Sequence, residues 1–129
     1  GALAPAPAEG ESAGGIVLRL EYGDVRVLLP GDLAAQAESA LVASGADLPA
    51  AVLQVPRSGH REACGEVLLR AASPQVAVLS VDAGNRFGLP HTETLERLQA
   101  AGVALYRTDR DGTVRVASDG TQLWVKTAR

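Results

Sequence analysis

The sequence predicts an α/β fold, a mixed β-sheet with about three helices. Three observations predict it. Short runs rich in Val, Leu and Ala alternate with stretches whose apolar residues recur at helical spacing. One run, Val76-Ala77-Val78-Leu79-Ser80-Val81, is apolar on both faces, as a central parallel strand is. Gly and Pro stand between the runs, where turns and helix stops belong. At 129 residues the chain fits one domain.

In order along the chain, residues 1–15 are mostly Ala, Gly, Pro, Glu and Ser, which bury little and read as a flexible arm or linker; residues 16–129 form the domain. Ile16 to Leu20 and Val25 to Leu29 are strands joined by Tyr22-Gly23-Asp24 as a hairpin. Pro30-Gly31-Asp32 breaks the second strand. Asp32 is placed as an N-cap, because its carboxylate can accept from the free amides of a first helical turn. Leu33, Ala34, Ala37, Ala40 and Leu41 continue a helix through Ser44, and Gly45 stops it. Ala51 to Val55 is a short strand. A helix over about 62–72 is expected to turn Val67, Leu68 and Ala71 inward. Asp82 to Pro90 is a loop, and His91-Thr92-Glu93 opens a helix carrying Leu95, Leu98 and Ala101 to Gly102. Val103 to Tyr106 is a strand, and Thr113 to Ala117 and Leu123 to Val125 are two more, reached through Asp-Gly turns. With three helices for one sheet, a Val- and Leu-rich sheet face is expected to stand open to a partner, either a missing half-domain or a second copy.

Composition narrows the function. Aromatic residues are scarce, so the core is aliphatic. The net charge of −3 argues against a chain-wide grip on nucleic acid, while leaving room for a local basic patch. No apolar run reaches the roughly 18–20 residues that span a bilayer, so no membrane contact is expected from this stretch itself. Cys64 is the one cysteine, which rules out an intramolecular disulfide and leaves a packed thiol as the expected role, ahead of a nucleophile.

Three loops follow predicted strand C-termini, the place where open α/β sheets bind ligands. They are Leu29-Pro30-Gly31-Asp32, Val55-Pro56-Arg57-Ser58-Gly59-His60 and Asn85-Arg86-Phe87-Gly88-Leu89-Pro90-His91. With Tyr106-Arg107-Thr108-Asp109-Arg110-Asp111-Gly112, they resemble, in order and spacing, the C-terminal half of the metallo-β-lactamase-like domain of ComEC competence proteins, which take up DNA in bacteria. That family reads Leu-Thr-Gly-Asp, Val-Pro-His-His-Gly-Ser and Asn-Arg-Tyr-Gly-His-Pro-His at the three loops. The resemblance covers roughly residues 16–120. It implies half of an αββα sandwich, a divalent metal (Mn or Zn) in the family, DNA as the parent's partner, and a soluble domain of a bacterial inner-membrane protein.

The departures bear on activity. Asp32 keeps the position of the family's metal-bridging carboxylate and His91 that of a loop histidine. Arg57-Ser58 replaces a histidine pair, His60 stands where the family has Ser, and Leu89 replaces another histidine. The His-x-His-x-Asp-His run of a first half is absent from this sequence. Two-metal hydrolysis needs several His and Asp ligands. Asp32, His60 and His91 are the candidate metal ligands here, and Arg57 would repel a cation. The expectation is no metal and no catalysis on this chain alone; a small metal-dependent phosphodiesterase using those three residues is the competing enzyme reading. Each also has a plainer role: Asp32 as an N-cap, His91 at a helix start, His60 as a solvated loop residue. Asn85 is expected to hold its own loop, and Gly31, Gly59 and Gly88 to serve turns. Arg57, Arg61, Arg86, Arg107 and Arg110 all fall in or beside the loops and could form a phosphate-binding rim. Scattered arginines pairing with Asp82, Asp109 and Asp111 is the equal alternative.

Overall fold

The computed structural model describes residues 2–3 and 17–129. Six strands form one sheet in chain order: β1 (Ala2–Leu3), β2 (Val17–Tyr22), β3 (Val25–Leu29), β4 (Val52–Gln54), β5 (Val76–Leu79) and β6 (Ala104–Arg107). β1, β2 and β3 run antiparallel, and β3 to β6 run parallel, so the sheet is mixed as expected. β1 falls inside the stretch read as an arm and pairs with Val17 and Leu18. The rest of that stretch lies outside the described residues.

The connections are α1 (Ala35–Ala43), α2 (Glu66–Ala72) and α3 (Thr92–Ala100), followed after β6 by a single helical turn, α4 (Thr108–Asp111). α4 ends in the Asp111-Gly112 turn expected from the sequence, which carries no signal for the helical turn before it. Each of the three parallel crossovers steps to the next strand in the same direction. Right-handed crossovers of that kind put every helix on one face. The inner face follows the register: Leu28, Leu53 and Ala77 are neighbours across β3, β4 and β5 and pack with Leu41, Leu68 and Leu98 of the helices. The core is aliphatic, as the composition requires.

The opposite face stands partly open, as the helix count suggested. Leu18, Leu20 and Tyr22 of β2 are 40%, 53% and 62% exposed. Val27 and Leu29 of β3 lie opposite Leu20 and Leu18 on the same side. One end of this face is shared with a separate hairpin, β7 (Val114–Ser118) and β8 (Leu123–Thr127). Its Leu123, Trp124 and Val125 line a crevice with Val25, Val76 and Tyr106. The hairpin turn is tied to the β2–β3 turn: the Asp24 amide donates to the Gly120 carbonyl at 2.6 Å. Gly23 has φ +58°, and a Cβ there would overlap the Gly120 carbonyl, so both the conformation and the close approach require glycine.

Three local expectations are corrected. Asp32 caps no helix: α1 begins at Ala35 with Ala34 as its N-cap and no side-chain cap, because Leu33 is used as a buried plug ahead of the helix. α2 starts at Glu66, not near 62, since residues 60–64 form a site loop. Its inward residues are therefore Leu68, Leu69 and Ala72, and Val67 points out, 51% exposed. Ala101 is an exposed C-cap of α3 and does not pack inward.

Candidate functional site

The parallel strands end together, and their following loops meet above them. Asp32, Arg57, Ser58, His60, Arg61, Phe87, Leu89 and His91 line one crevice of about 540 Å³. All three candidate ligands thus reach one place, from three loops.

Each loop is held by identifiable contacts. Gln54 Oε1 accepts the Gly31 amide at 3.4 Å, and the Arg57 amide donates to the Gly31 carbonyl at 3.1 Å. Arg57 and Ser58 both sit in the left-handed region, φ 52° and 51°, a conformation that costs roughly 1–2 kcal/mol per non-glycine residue. Gly59, with φ +80°, passes so close to Pro90 that a Cβ would meet that ring's Cβ at 2.7 Å. Asn85 holds its own loop as expected. Its Nδ2 donates to the carbonyls of Asp82 and Leu89, and its Oδ1 accepts the amides of Phe87 and Leu89.

The imidazoles are committed to the loops. His91 is the N-cap residue of α3 by position, but its ring does not cap the helix. Nδ1 accepts the Arg61 amide at 2.9 Å, and Nε2 lies 3.1 Å from the Phe87 carbonyl. That pair of bonds needs the neutral ring with its proton on Nε2, so neither nitrogen has a lone pair to offer a metal. His60 Nδ1 accepts the Glu62 amide at 3.1 Å, which leaves Nε2 as its one remaining nitrogen. The two rings meet edge-on, centroids 4.9 Å apart. Partial desolvation, then the charge of Arg57, lower the His60 pKa below the ordinary 6.5.

A divalent metal finds a poor donor set here. The crevice offers one carboxylate, Asp32, and one available imidazole nitrogen, beside the guanidinium groups of Arg57 and Arg61. Among the described residues, no group of three or more His, Cys, Asp or Glu side chains is arranged to hold a metal ion.

The arginine rim separates into parts. Arg57 and Arg61 line the crevice, Arg61 with Glu93 at 3.7 Å. Arg107 forms a fork to Asp109, at 3.0 and 2.8 Å, and that pair holds the Asp109 carboxyl below its usual range. Arg107 and Arg110 border a different crevice, beside α3 and β6. Arg86 is exposed and does not line the site crevice. The five arginines therefore do not line one crevice: Arg107 ends β6 and Arg110 lies in α4, at a crevice apart from that of Arg57 and Arg61.

Sequence reading missed the residues that support the site from behind. Thr94, fully buried, donates from its hydroxyl to the His60 carbonyl at 2.7 Å. Arg97 donates to the carbonyls of Arg61, Ala63 and Cys64, at 2.5, 2.9 and 3.3 Å. Glu38 of α1, buried, accepts the amides of Cys64 and Gly65 at 2.6 and 2.9 Å. An acidic residue between Ala37 and Ala40 on a predicted core face was the one available signal for Glu38. Cys64 itself is fully buried. Burial, with the Glu38 carboxylate next, pushes its thiol up to about 12, so it is protonated and inert at neutral pH.

Known proteins match this chain over most of its length. It is 31% identical to ComE operon protein 3 of Bacillus subtilis (strain 168) over 112 residues, 87% of the chain. It is 34% identical to Competence protein ComA of Neisseria gonorrhoeae over 100 residues, 77% of the chain. The chain is a homologue of bacterial competence proteins. Recombination protein 2 of Haemophilus influenzae is 32% identical over 113 residues, 88% of the chain. The chain spans 14% of the length of each of these competence and recombination proteins. No family model matches it. No described helix is long and apolar enough to cross a membrane.

Proposed function

We propose that this chain is a segment of a ComEC-type DNA-uptake protein, forming the second half of a metallo-β-lactamase-like domain whose metal site is degenerate on this side. The parent's DNA is the proposed partner, and the parent is proposed to be an inner-membrane protein. The observation that carries the degenerate-site reading is the position of Arg57 within the crevice of Asp32, His60 and His91. A guanidinium repels a divalent cation and suits a phosphate oxygen. Both nitrogens of His91 are already bonded, which removes a second ligand.

Titration calorimetry with manganese and with zinc tests this. The expected result is no stoichiometric binding to the 129-residue chain. Tight one-to-one binding that is lost in His60→Ala and Asp32→Ala would overturn it and favour a small metal-dependent phosphodiesterase.

A second reading rests on a different surface. Leu18, Leu20 and Tyr22 form an exposed apolar strip on a strand that has no helix over it, and such a strip favours burial against another protein surface. We propose that the other half of the domain covers it, with self-pairing as the outcome when that half is missing. Light scattering over a range of concentrations is expected to show reversible association, weakened in Leu20→Lys. A strict monomer at every concentration argues against self-pairing.

A further inference from the structure

The β7–β8 hairpin carries a surface that the crevice chemistry does not use. In its register Arg115 lies opposite Lys126, and Ala117 opposite Trp124. Side chains alternate across a strand, so these four share one face of the ribbon. All four are exposed, and Trp124, the chain's single tryptophan, is 51% exposed. The other face, with Val114, Val116, Leu123 and Val125, is half-buried. The apolar residues therefore turn inward, while the largest aromatic side chain turns outward.

Charge on this face is of one sign. Neither β7 nor β8 contains Asp or Glu, although the chain as a whole has net charge −3. Among the described residues, Arg115 and Lys126 have no ion-pair partner, whereas Arg19, Arg26, Arg61, Arg70 and Arg107 each pair with a carboxylate. Two free cations thus stand about 7 Å along the ribbon from an open indole. Across the ribbon the indole's partner is Ala117, with the two cations one step along, while Trp124 also borders the crevice with Val25, Val76 and Tyr106.

We infer that the outer face of the β7–β8 hairpin binds single-stranded nucleic acid, with a base stacked on Trp124 and the adjoining phosphates on Arg115 and Lys126. Base stacking on an aromatic ring tolerates any sequence, and Lys and Arg supply the salt-dependent phosphate contact. A duplex keeps its bases stacked inside and offers no free face to the indole, so the single strand is the favoured ligand. The anchor between Asp24 and Gly120 fixes the ribbon to the sheet end, which presents the indole on a rigid support.

The single tryptophan makes the test direct, because all tryptophan emission reports this face. Titrating the 129-residue chain with a twelve-nucleotide oligothymidylate at low salt is expected to quench that emission, and the affinity is expected to fall as salt rises. Oligouridylate in a parallel titration distinguishes DNA from RNA as the preferred strand. With a labelled oligonucleotide, anisotropy is expected to show roughly tenfold weaker binding to Trp124→Ala and loss of binding to R115E/K126E. Thermal melting of each variant, followed by circular dichroism, confirms that it remains folded. No quenching at low salt overturns the inference. So does binding that survives in folded Trp124→Ala and R115E/K126E, and so does equal competition by duplex DNA. These outcomes are separate from the metal result, since they leave Asp32, His60 and His91 untouched; binding lost in Arg57→Ala but kept in R115E/K126E would move the contact to the crevice.

Discussion

Glu38→Ala is expected to destabilise the chain by about 3 kcal/mol, since it leaves the buried amide of Cys64 and the half-buried amide of Gly65 without an acceptor. Glycine at the N-cap of α2 has no side chain to take over. Some of the loss is offset because a buried carboxylate is itself costly. Burial is the largest influence on Glu38 and raises its pKa above 4.5, against the lowering effects of the Gly65 and Cys64 amides and then of Arg97 and Arg57. The sign follows from proton linkage. The folded chain holds this proton more tightly than the unfolded chain, so the stability linked to it is complete below pH 4.5 and is lost as pH rises through the folded value. Glu38→Gln keeps the shape but sets its NH₂ against one amide, and is expected to cost roughly half as much. It should also remove the decline in stability that Glu38 contributes above pH 4.5. Urea unfolding followed by Trp124 emission measures both variants across pH. An unchanged midpoint in Glu38→Ala would show that the two amides find other partners.

Arg97→Ala is expected to cost about 2–3 kcal/mol, because one guanidinium serves three carbonyls of the 61–64 loop and the Thr94 hydroxyl. The effect should be local as well as global. Amide hydrogen exchange of residues 60–65 is expected to speed up before that of β4 and β5, whose amides lie in the sheet centre. Arg97→Lys should recover little, since an ammonium cannot span three carbonyls as a planar fork does. Equal exchange in the wild type and Arg97→Ala would mean that Thr94, through its bond to the His60 carbonyl, is enough to hold the loop.

The strands were the most legible part of the fold. Val76 to Leu79 is an inner strand, flanked by β4 and β6 and mostly buried, and continuous apolar character carries that information directly. Helix starts were less legible. Asp32 and Leu33 look like a cap and a first apolar position, yet Leu33 is drawn into the core and delays α1 to Ala35. The shift in α2 has the same origin: Arg97 and Glu38, distant in sequence, hold 60–64 as a loop, and a pattern of local residues contains no trace of either. In the crevice, the motif order identified Asp32, His60 and His91 as neighbours, and they are. It did not identify Thr94, Arg97 or Glu38, since a support from behind has no fixed spacing from the loop that it holds.

Sequence alone determined that this chain builds a mixed sheet with an aliphatic core, and it set Asp32, Arg57, His60 and His91 in loops that follow strands. Those properties depend on residue type and local periodicity. Tertiary structure decided which groups are free to act. It committed both nitrogens of His91 to backbone partners, paired Arg107 with Asp109 outside the crevice, and left Arg115 and Lys126 without an ion-pair partner among the described residues, beside an exposed indole. The physical reason is that hydrogen bonds and ion pairs depend on distances between residues tens of positions apart, which only the packed chain sets.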